Sequence, residues 1–526
     1  SMTRTCLLLP LCLLAASASA AIDLIHVDDF EEHCGQLLFS ESFPDNGGNW
    51  PSLWSELAGS AQVADVVTGS GRLQPVVSGY SLARMAAPVP TRDVEVRFTM
   101  TLEDAGAQGV GFYVRQNGGH LQLTTTPGEG YAVFVEGSFR GLPGVGVWRE
   151  ENGQEIQIAH SGGLAPAPQS NQPLRVRFRV HQVDATQTRL QAKIWPLGEA
   201  EPIAWQVSAL DTQASLQDHA GGIAVDSWNV AQNGTLTSHT RIDDIEVEAL
   251  CNPLRGRGPV TLVAEGFQFT EGPLWRGDHL LFSDIDTDQI LRLDPPLQIG
   301  SFRLPSGRAN GLALDGQGLL LAAEHGPRRL SQTQANGQVV TLSDRYQGMR
   351  YNSPNDLVVA DNGQIYFTDP DYGLADPGQR ELPFNGLFRR NPDGSVVAEW
   401  EGAIGFNQPN GVALSPAQDL LYLTDTQAGQ LLAFDRAADG SLSNPRVLAE
   451  GLPIADGLCV DTQGNVLVAT WGNGIQIHAP DGTPWGAISL PRQATNCAFG
   501  DSDGRTLYVT AQQGLYRLRL PLAGEP

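Results

Sequence analysis

Residues 410–436 read NGVALSPAQDLLYLTDTQAGQLLAFDR. A polar residue and a glycine open an apolar run, Val412–Leu414. A turn leads to a second run, Leu420–Leu423, which ends in Thr-Asp, and another turn leads to a third, Gln430–Phe434. Short apolar runs separated by turn residues read as adjacent antiparallel strands. The unit recurs about every 45 residues through the C-terminal half. Its openers are Glu271, Asn310, Asn355, Asn410, Asp456 and Asn496. Second runs such as LLFSD, IYFTD and VLVAT follow, then third runs such as QILRLD and GIQIHA. The turns Asn336-Gly337, Asp393-Gly394, Asp439-Gly440 and Asp481-Gly482 lead into fourth runs. Six units of four short strands predict a six-bladed β-propeller over residues 252–526. The unpartnered run Val260–Ala264 is expected to pair with the last unit, beside GLYRLRL, and so remove an open edge.

Residues 34–251 show no such repeat. Runs such as VEVRFTM, VGFYVRQ, YAVFVE and LRVRFRV alternate between Gly- and Pro-containing turns, which predicts an antiparallel β-sandwich. The closing runs GGIAVD and RIDDIEV resemble the last strands of concanavalin/laminin-G-like jelly rolls. The fold class is therefore all-β: a sandwich (jelly roll), then the propeller. No catalytic constellation stands out in the sandwich. Asp93, Glu95 and Glu136 read as members of a solvated face. Trp195, Trp205 and Trp228 read as core packing in preference to sugar stacking.

The chain has 526 residues and a net charge of −25, which argues against a nucleic-acid partner. Lys193 is the single lysine, so a phosphate-binding loop lysine is excluded from the propeller. Arg4, the apolar run Leu7–Ala16 and the small residues to Ala20 read as a signal peptide over residues 1–20. The run is too short to span a bilayer, so an exported protein, periplasmic or secreted, is expected. Export permits disulfides. Cys34 and Cys251 bracket the sandwich and are expected to pair. Cys459 and Cys497 lie in apolar runs and are expected to be buried free thiols.

The first strand of each propeller blade lines the central channel, so the six openers ring one mouth of it. Two are carboxylates and four are amides. Converging oxygen donors with two negative charges suit one hard divalent cation. The absence of thiolate and imidazole argues against soft metals. Calcium is the first expectation, with magnesium, manganese and zinc as alternatives.

The C-terminal half resembles the SMP-30/gluconolactonase/LRE family of six-bladed propellers. The stretches that carry the resemblance are FTEGPLW, LLFSDI, ANGLALD, AAEHGPRRL, NSPNDLVV, IYFTDPDYG, QPNGVALS, LYLTDT, ADGLCVD and TNCAFG, in family order. The resemblance implies a metal held by Glu271, Asn410 and Asp456, with Asn355 a further ligand or substrate contact. It also implies hydrolysis of sugar lactones, the cation polarising the carbonyl and Asp456 or a metal-bound water supplying or activating the nucleophile. His325, Tyr372 and Trp471 are candidate substrate contacts beyond the inner strands. The insertion between Asp369 and Asn410 is the candidate lid. Two alternatives keep the propeller: a metal-dependent phosphotriesterase or aryl esterase, and a non-catalytic ligand-binding platform. The sandwich would then be an accessory that binds carbohydrate or packs beside the mouth of the site.

Overall fold

The computed structural model describes residues 34–44, 47–57, 61–75, 80–120, 126–230, 237–472 and 474–524. The signal-peptide expectation for residues 1–20 falls outside them. Among the described residues no helix is long and apolar enough to cross a membrane, and the regular elements are strands and single 3₁₀ turns.

The N-terminal half is two antiparallel sheets. One runs in the order Val207–Asp211, Gln187–Pro196, Leu174–Asp184, Val94–Leu102, Thr240–Ala249, Ser70–Pro75, Ala61–Val67. The other runs Gln154–His160, Gly144–Glu151, Gly130–Glu136, Gln108–Gln116, Gly221–Val230, Tyr80–Thr91, Ser55–Leu57. The closing strands Gly221–Val230 and Thr240–Ala249 each enter the middle of a sheet. Alternate residues of both sheets meet in one core: Val96 and Phe98 from the first, Val110 and Phe112 from the second. Phe98 stacks on Phe112 at 5.1 Å between ring centroids, joining the two layers.

Three acidic residues expected on a solvated face are buried instead. Asp93 accepts hydrogen bonds from Arg115 and Arg255, Glu95 pairs with Arg177 and Arg179, and Glu136 is buried near Arg140. Strand alternation identifies the outer face of a sheet. It does not reveal that a second layer covers that face. Here part of the cover is the propeller. Thr483 accepts a hydrogen bond from Trp205 Nε1 (2.9 Å), and His181 Nε2 lies 3.3 Å from the Trp485 carbonyl oxygen. Arg177, Arg179 and Lys193 lie against the Trp205 ring. Trp205 is thus a docking residue. Trp228 is core, as expected, packed on Phe134 at 4.8 Å. Trp195 is also buried.

In the propeller half, four four-stranded sheets and one six-stranded sheet form, plus a two-stranded ribbon, Arg345–Tyr346 with Met349–Arg350. Five separate blades, not six, therefore appear as distinct sheets. The cause is chain continuity at the ring's closure. The single strand Thr261–Trp275 pairs at its start with the last strand (Leu262 with Tyr516, Ala264 with Leu515) and at its end with Leu280–Asp284. First and last units are thereby joined in one sheet. The expected partnership of Val260–Ala264 with GLYRLRL is realised.

Cys34 and Cys251 form a disulfide, with Cα atoms 4.8 Å apart. Cys459 and Cys497 also form one, with Cα atoms 5.9 Å apart, which overturns the free-thiol expectation. Their strands, Ala455–Val460 and Asn496–Gly500, are neighbouring inner strands. Cys459 stands three residues after its opener and Cys497 one after, so only the stagger between the strands brings them face to face. This bond ties two units that are 38 residues apart in sequence. We expect a non-reducing peptide digest to yield both cross-linked pairs. Replacing Cys459 and Cys497 together by Ala should lower stability by roughly 3–4 kcal/mol, read from denaturant midpoints.

Candidate active site

The inner strands crowd together at the channel axis. At Gly272 φ is +49°, and an added side-chain carbon would meet the Asn310 carbonyl oxygen. At Gly411 it would lie 2.7 Å from the Asp456 carbonyl oxygen. This crowding explains the glycine that follows most openers: the backbone of the next unit occupies the space where a side chain would stand. Five of the six openers turn their side chains into the channel mouth.

There they line one cavity of about 650 Å³, with Glu271, Asn310, Asn355, Asn410 and Asp456 in its wall. His325, Tyr372 and Trp471 line the same cavity, as do Phe269, Ile285, Arg308, Gln408 and Ile454. All seven residues singled out from sequence as metal ligands or substrate contacts are therefore brought together. Asn496, the sixth opener, lines a smaller cavity of about 190 Å³ elsewhere along the axis and donates Nδ2 to Glu271 Oε2 (3.1 Å).

The hydrogen bonds fix the carboxylates. Glu271 Oε2 accepts the Gly272 amide at 2.8 Å. Asp456 Oδ2 accepts Trp471 Nε1 at 2.8 Å, and Asn410 Nδ2 donates to Thr426 Oγ1 at 3.0 Å. The Tyr372 hydroxyl hydrogen-bonds the Asn355 side chain. Asn310 Nδ2 lies 3.4 Å from His325 Nε2, while Asn310 Oδ1 is buried without a partner. The candidate lid contributes Tyr372 and Gly373 to the wall. It is pinned by an Arg380–Asp371 ion pair at 2.7 Å and by Arg328 Nη1 donating to the Gln379 carbonyl (3.0 Å).

Electrostatically the site is strained. Glu271 and Asp456 are both buried, and among the described residues no Arg or Lys pairs with either. Burial, together with the charge of Asp456, raises the Glu271 carboxyl well above the usual range. Burial pushes Asp456 up to about 7. Burial and mutual charge repulsion thus act together to favour a protonated form of the pair. Burial pulls His325 down to about 4, which makes it a neutral ring at neutral pH.

A third buried carboxylate, Asp356, which lines the smaller cavity with Asn496, was missed from sequence. Asp356 follows the opener Asn355, where Asn310, Asn410 and Asp456 are followed by glycine. An added carbon on Gly311 would meet Asp356 Oδ1 at 2.5 Å, so the acid fills the space that glycine leaves in the neighbouring unit. Burial and the charge of Glu271 push it up to about 7. The break in the opener–glycine pattern was the available signal.

The donor set fits a hard divalent cation. Two carboxyls without basic partners and the amides of Asn355 and Asn410 converge on one cavity, and a bound cation would replace a proton on the pair. Among the described residues no cluster of three or more His, Cys, Asp or Glu side chains forms a metal-ligand group, so the amides are essential to any such site.

Residues 269–513 match the family described as SMP-30/Gluconolactonase/LRE-like region. A gluconolactonase of Zymomonas mobilis is 33% identical over 301 residues, which is 51% of this chain and 82% of that protein. Regucalcin of Xenopus laevis is 29% identical over 264 residues, 48% of this chain and 85% of its own. A solved gluconolactonase from Xanthomonas campestris is 33% identical, with a TM-score of 0.48 over 51% of this chain and 92% of its own.

In protein stripped with a chelator, the native state holds protons on Glu271, Asp356 and Asp456 that the unfolded chain releases near pH 4. Stability should therefore be full below about pH 4 with respect to these groups and fall as pH rises towards about 7 and beyond. The expected readout is a melting midpoint that falls with pH after chelation, and falls less when calcium is restored. Asp356→Asn should flatten the decline in the stripped protein.

Proposed function

The chain belongs to the SMP-30/gluconolactonase/LRE-like family, and on that premise we propose that its propeller cavity opens sugar lactones with the help of one divalent cation. The chain is thus a lactone-hydrolysing enzyme. The observation that carries the site assignment is the convergence of Glu271, Asn355, Asn410 and Asp456 with His325, Tyr372 and Trp471 in one cavity.

Glu271, Asn355, Asn410 and Asp456 would hold the cation, with calcium the first candidate for this oxygen-donor set. A cation held by these residues would supply Lewis-acid polarisation of the lactone carbonyl and charge stabilisation of the oxyanion. Asp456 accepts the proton of the attacking water as its oxygen bonds to the carbonyl carbon. The carbonyl carbon–ring oxygen bond then breaks, the ring oxygen takes up a proton, and a hydroxy acid leaves. Trp471 holds one oxygen of Asp456, which fixes the carboxylate plane. Neutral His325, with Asn310, offers uncharged hydrogen-bonding groups to substrate hydroxyls. Phe269, Ile285 and Ile454 supply apolar wall that limits water around the reacting carbon.

Three finer readings accompany this one. The six-stranded sheet is the first and last repeat units joined, giving six units in the ring; the two-part pairing of Thr261–Trp275 supports it. The N-terminal half, residues 34–251, is a jelly-roll accessory, supported by the entry of its two closing strands into the middle of the two sheets. The chain is exported, a reading supported by two disulfides.

The test is a rate comparison with saturating calcium on sugar lactones, aryl esters and phosphotriesters. Sugar lactones should be preferred, and Asp456→Asn and Glu271→Gln should each lose about 10²-fold or more in kcat with circular dichroism unchanged. Full activity in Asp456→Asn rejects the mechanism. Preference for a phosphotriester or aryl ester rejects the substrate class.

A further inference from the structure

Trp471 also lines a second cavity of about 360 Å³, shared with Gly472, Gly474, Leu490, Arg492, Gln493 and Gln512. Gly472, Gly474 and Leu490 in turn line a third, of about 370 Å³, whose other walls include Gln476 and, from the sandwich, Arg189. The three spaces are separate but share lining residues in succession, from the wall that holds the carboxylate pair to Arg189 of the N-terminal half. Each lies in the size range of small-molecule sites, about 300–1,000 Å³.

The lining has a definite chemistry. An indole stands between the first two spaces. Beyond it come amide side chains (Gln493, Gln512, Gln476), the Arg492 guanidinium and glycine backbone, groups that donate and accept hydrogen bonds without a dominant negative charge. Gln512 Nε2 donates to Gln493 Oε1, which orients both amides. Arg492 is neutralised by Glu265 at 2.9 Å. Arg189 is different. Among the described residues no carboxylate pairs with it, its Nε is buried without a hydrogen-bond partner, and Nη1 reaches only Ser208 Oγ at 3.5 Å. A half-buried guanidinium beside a cavity, with no carboxylate partner for its terminal nitrogens, can take an oxygen-rich ligand.

The far wall is held in place rigidly. Val183 and Leu254 press on Gly486, where an added carbon would stand 2.7 Å from Val183 Cγ1, and the His181–Trp485 and Trp205–Thr483 contacts fasten the same strand. Docking of the sandwich therefore fixes Arg189 relative to the propeller.

We propose that the substrate is a lactone carried at the end of a sugar chain, with the lactone ring in the propeller cavity and the next sugars running past Trp471 and Gln493 to Arg189 of the sandwich. This rests on the lactonase reading above and specifies its substrate class. The accessory half then completes the binding groove and sets the preference for chain length.

The experiment compares kcat/KM for D-glucono-1,5-lactone with the disaccharide lactones cellobiono-1,5-lactone and maltobiono-1,5-lactone, alongside calorimetric titration with cellotriose and maltotriose. At least one disaccharide lactone should be favoured by about tenfold. Gln493→Ala should remove most of that advantage and Arg189→Ala should weaken trisaccharide binding, both leaving gluconolactone turnover unchanged. Arg189→Ala should not lower the melting midpoint, since it deletes an unpaired group. Equal kcat/KM for mono- and disaccharide lactones, an advantage untouched by Gln493→Ala, or trisaccharide binding untouched by Arg189→Ala overturns the inference and leaves the lactonase reading standing. If no lactone is opened, the lactonase reading fails and titration decides the groove alone. Saturable trisaccharide binding that Arg189→Ala weakens supports it, and no binding to the wild-type chain overturns it.

Discussion

The site depends on how closely the inner strands approach at the propeller axis. Where Gly272 meets the Asn310 carbonyl and Gly411 meets that of Asp456, there is no space for a side-chain carbon. Neighbouring units therefore pack backbone to backbone just past the openers, and the opener side chains are left to face one another across a small mouth. Two carboxyls placed there without a basic partner are costly in any state that ionises both. They must share a proton or share a cation. A lactone carbonyl needs an electrophile and a proton acceptor within one small volume, and the same constraint that crowds the axis supplies the place for both.

That crowding must be maintained around the whole ring. Thr261–Trp275 does this at the closure by belonging to both ends of the propeller at once. The Cys459–Cys497 bond does it one step away, joining the inner strands that carry Asp456 and Asn496. Asn496 in turn donates to Glu271, so fastening the last units also steadies the first carboxylate. The sandwich adds a third restraint from outside, against the strand Pro484–Ile488.

Periodicity made most of the architecture legible. The repeat in residues 271–526 placed every opener, because strand alternation and turn glycines are local consequences of backbone geometry. Strands repeated about an axis put the six openers in one ring, and the family resemblance singled out Glu271, Asn355, Asn410 and Asp456 among them as candidate metal ligands. Asp356 escaped because it occupies a glycine position and only the gap over Gly311 shows why an acid fits there. Asp93, Glu95 and Glu136 misled for a related reason: an alternating strand marks an outer face, and a second layer then buried it.

The sequence by itself determined the all-β class, the repeating unit, the partner of the opening run, the Cys34–Cys251 link and the ring of openers on which the site draws. These follow from spacing along the chain. The tertiary structure alone decided the Cys459–Cys497 bond, the fusion of first and last units into one sheet, the joint burial of Glu271 and Asp456, and the placement of Arg189 of the sandwich beside a cavity of the propeller. Each depends on the stagger, burial or docking of segments far apart in sequence, distances that a linear pattern of apolar and polar residues does not encode.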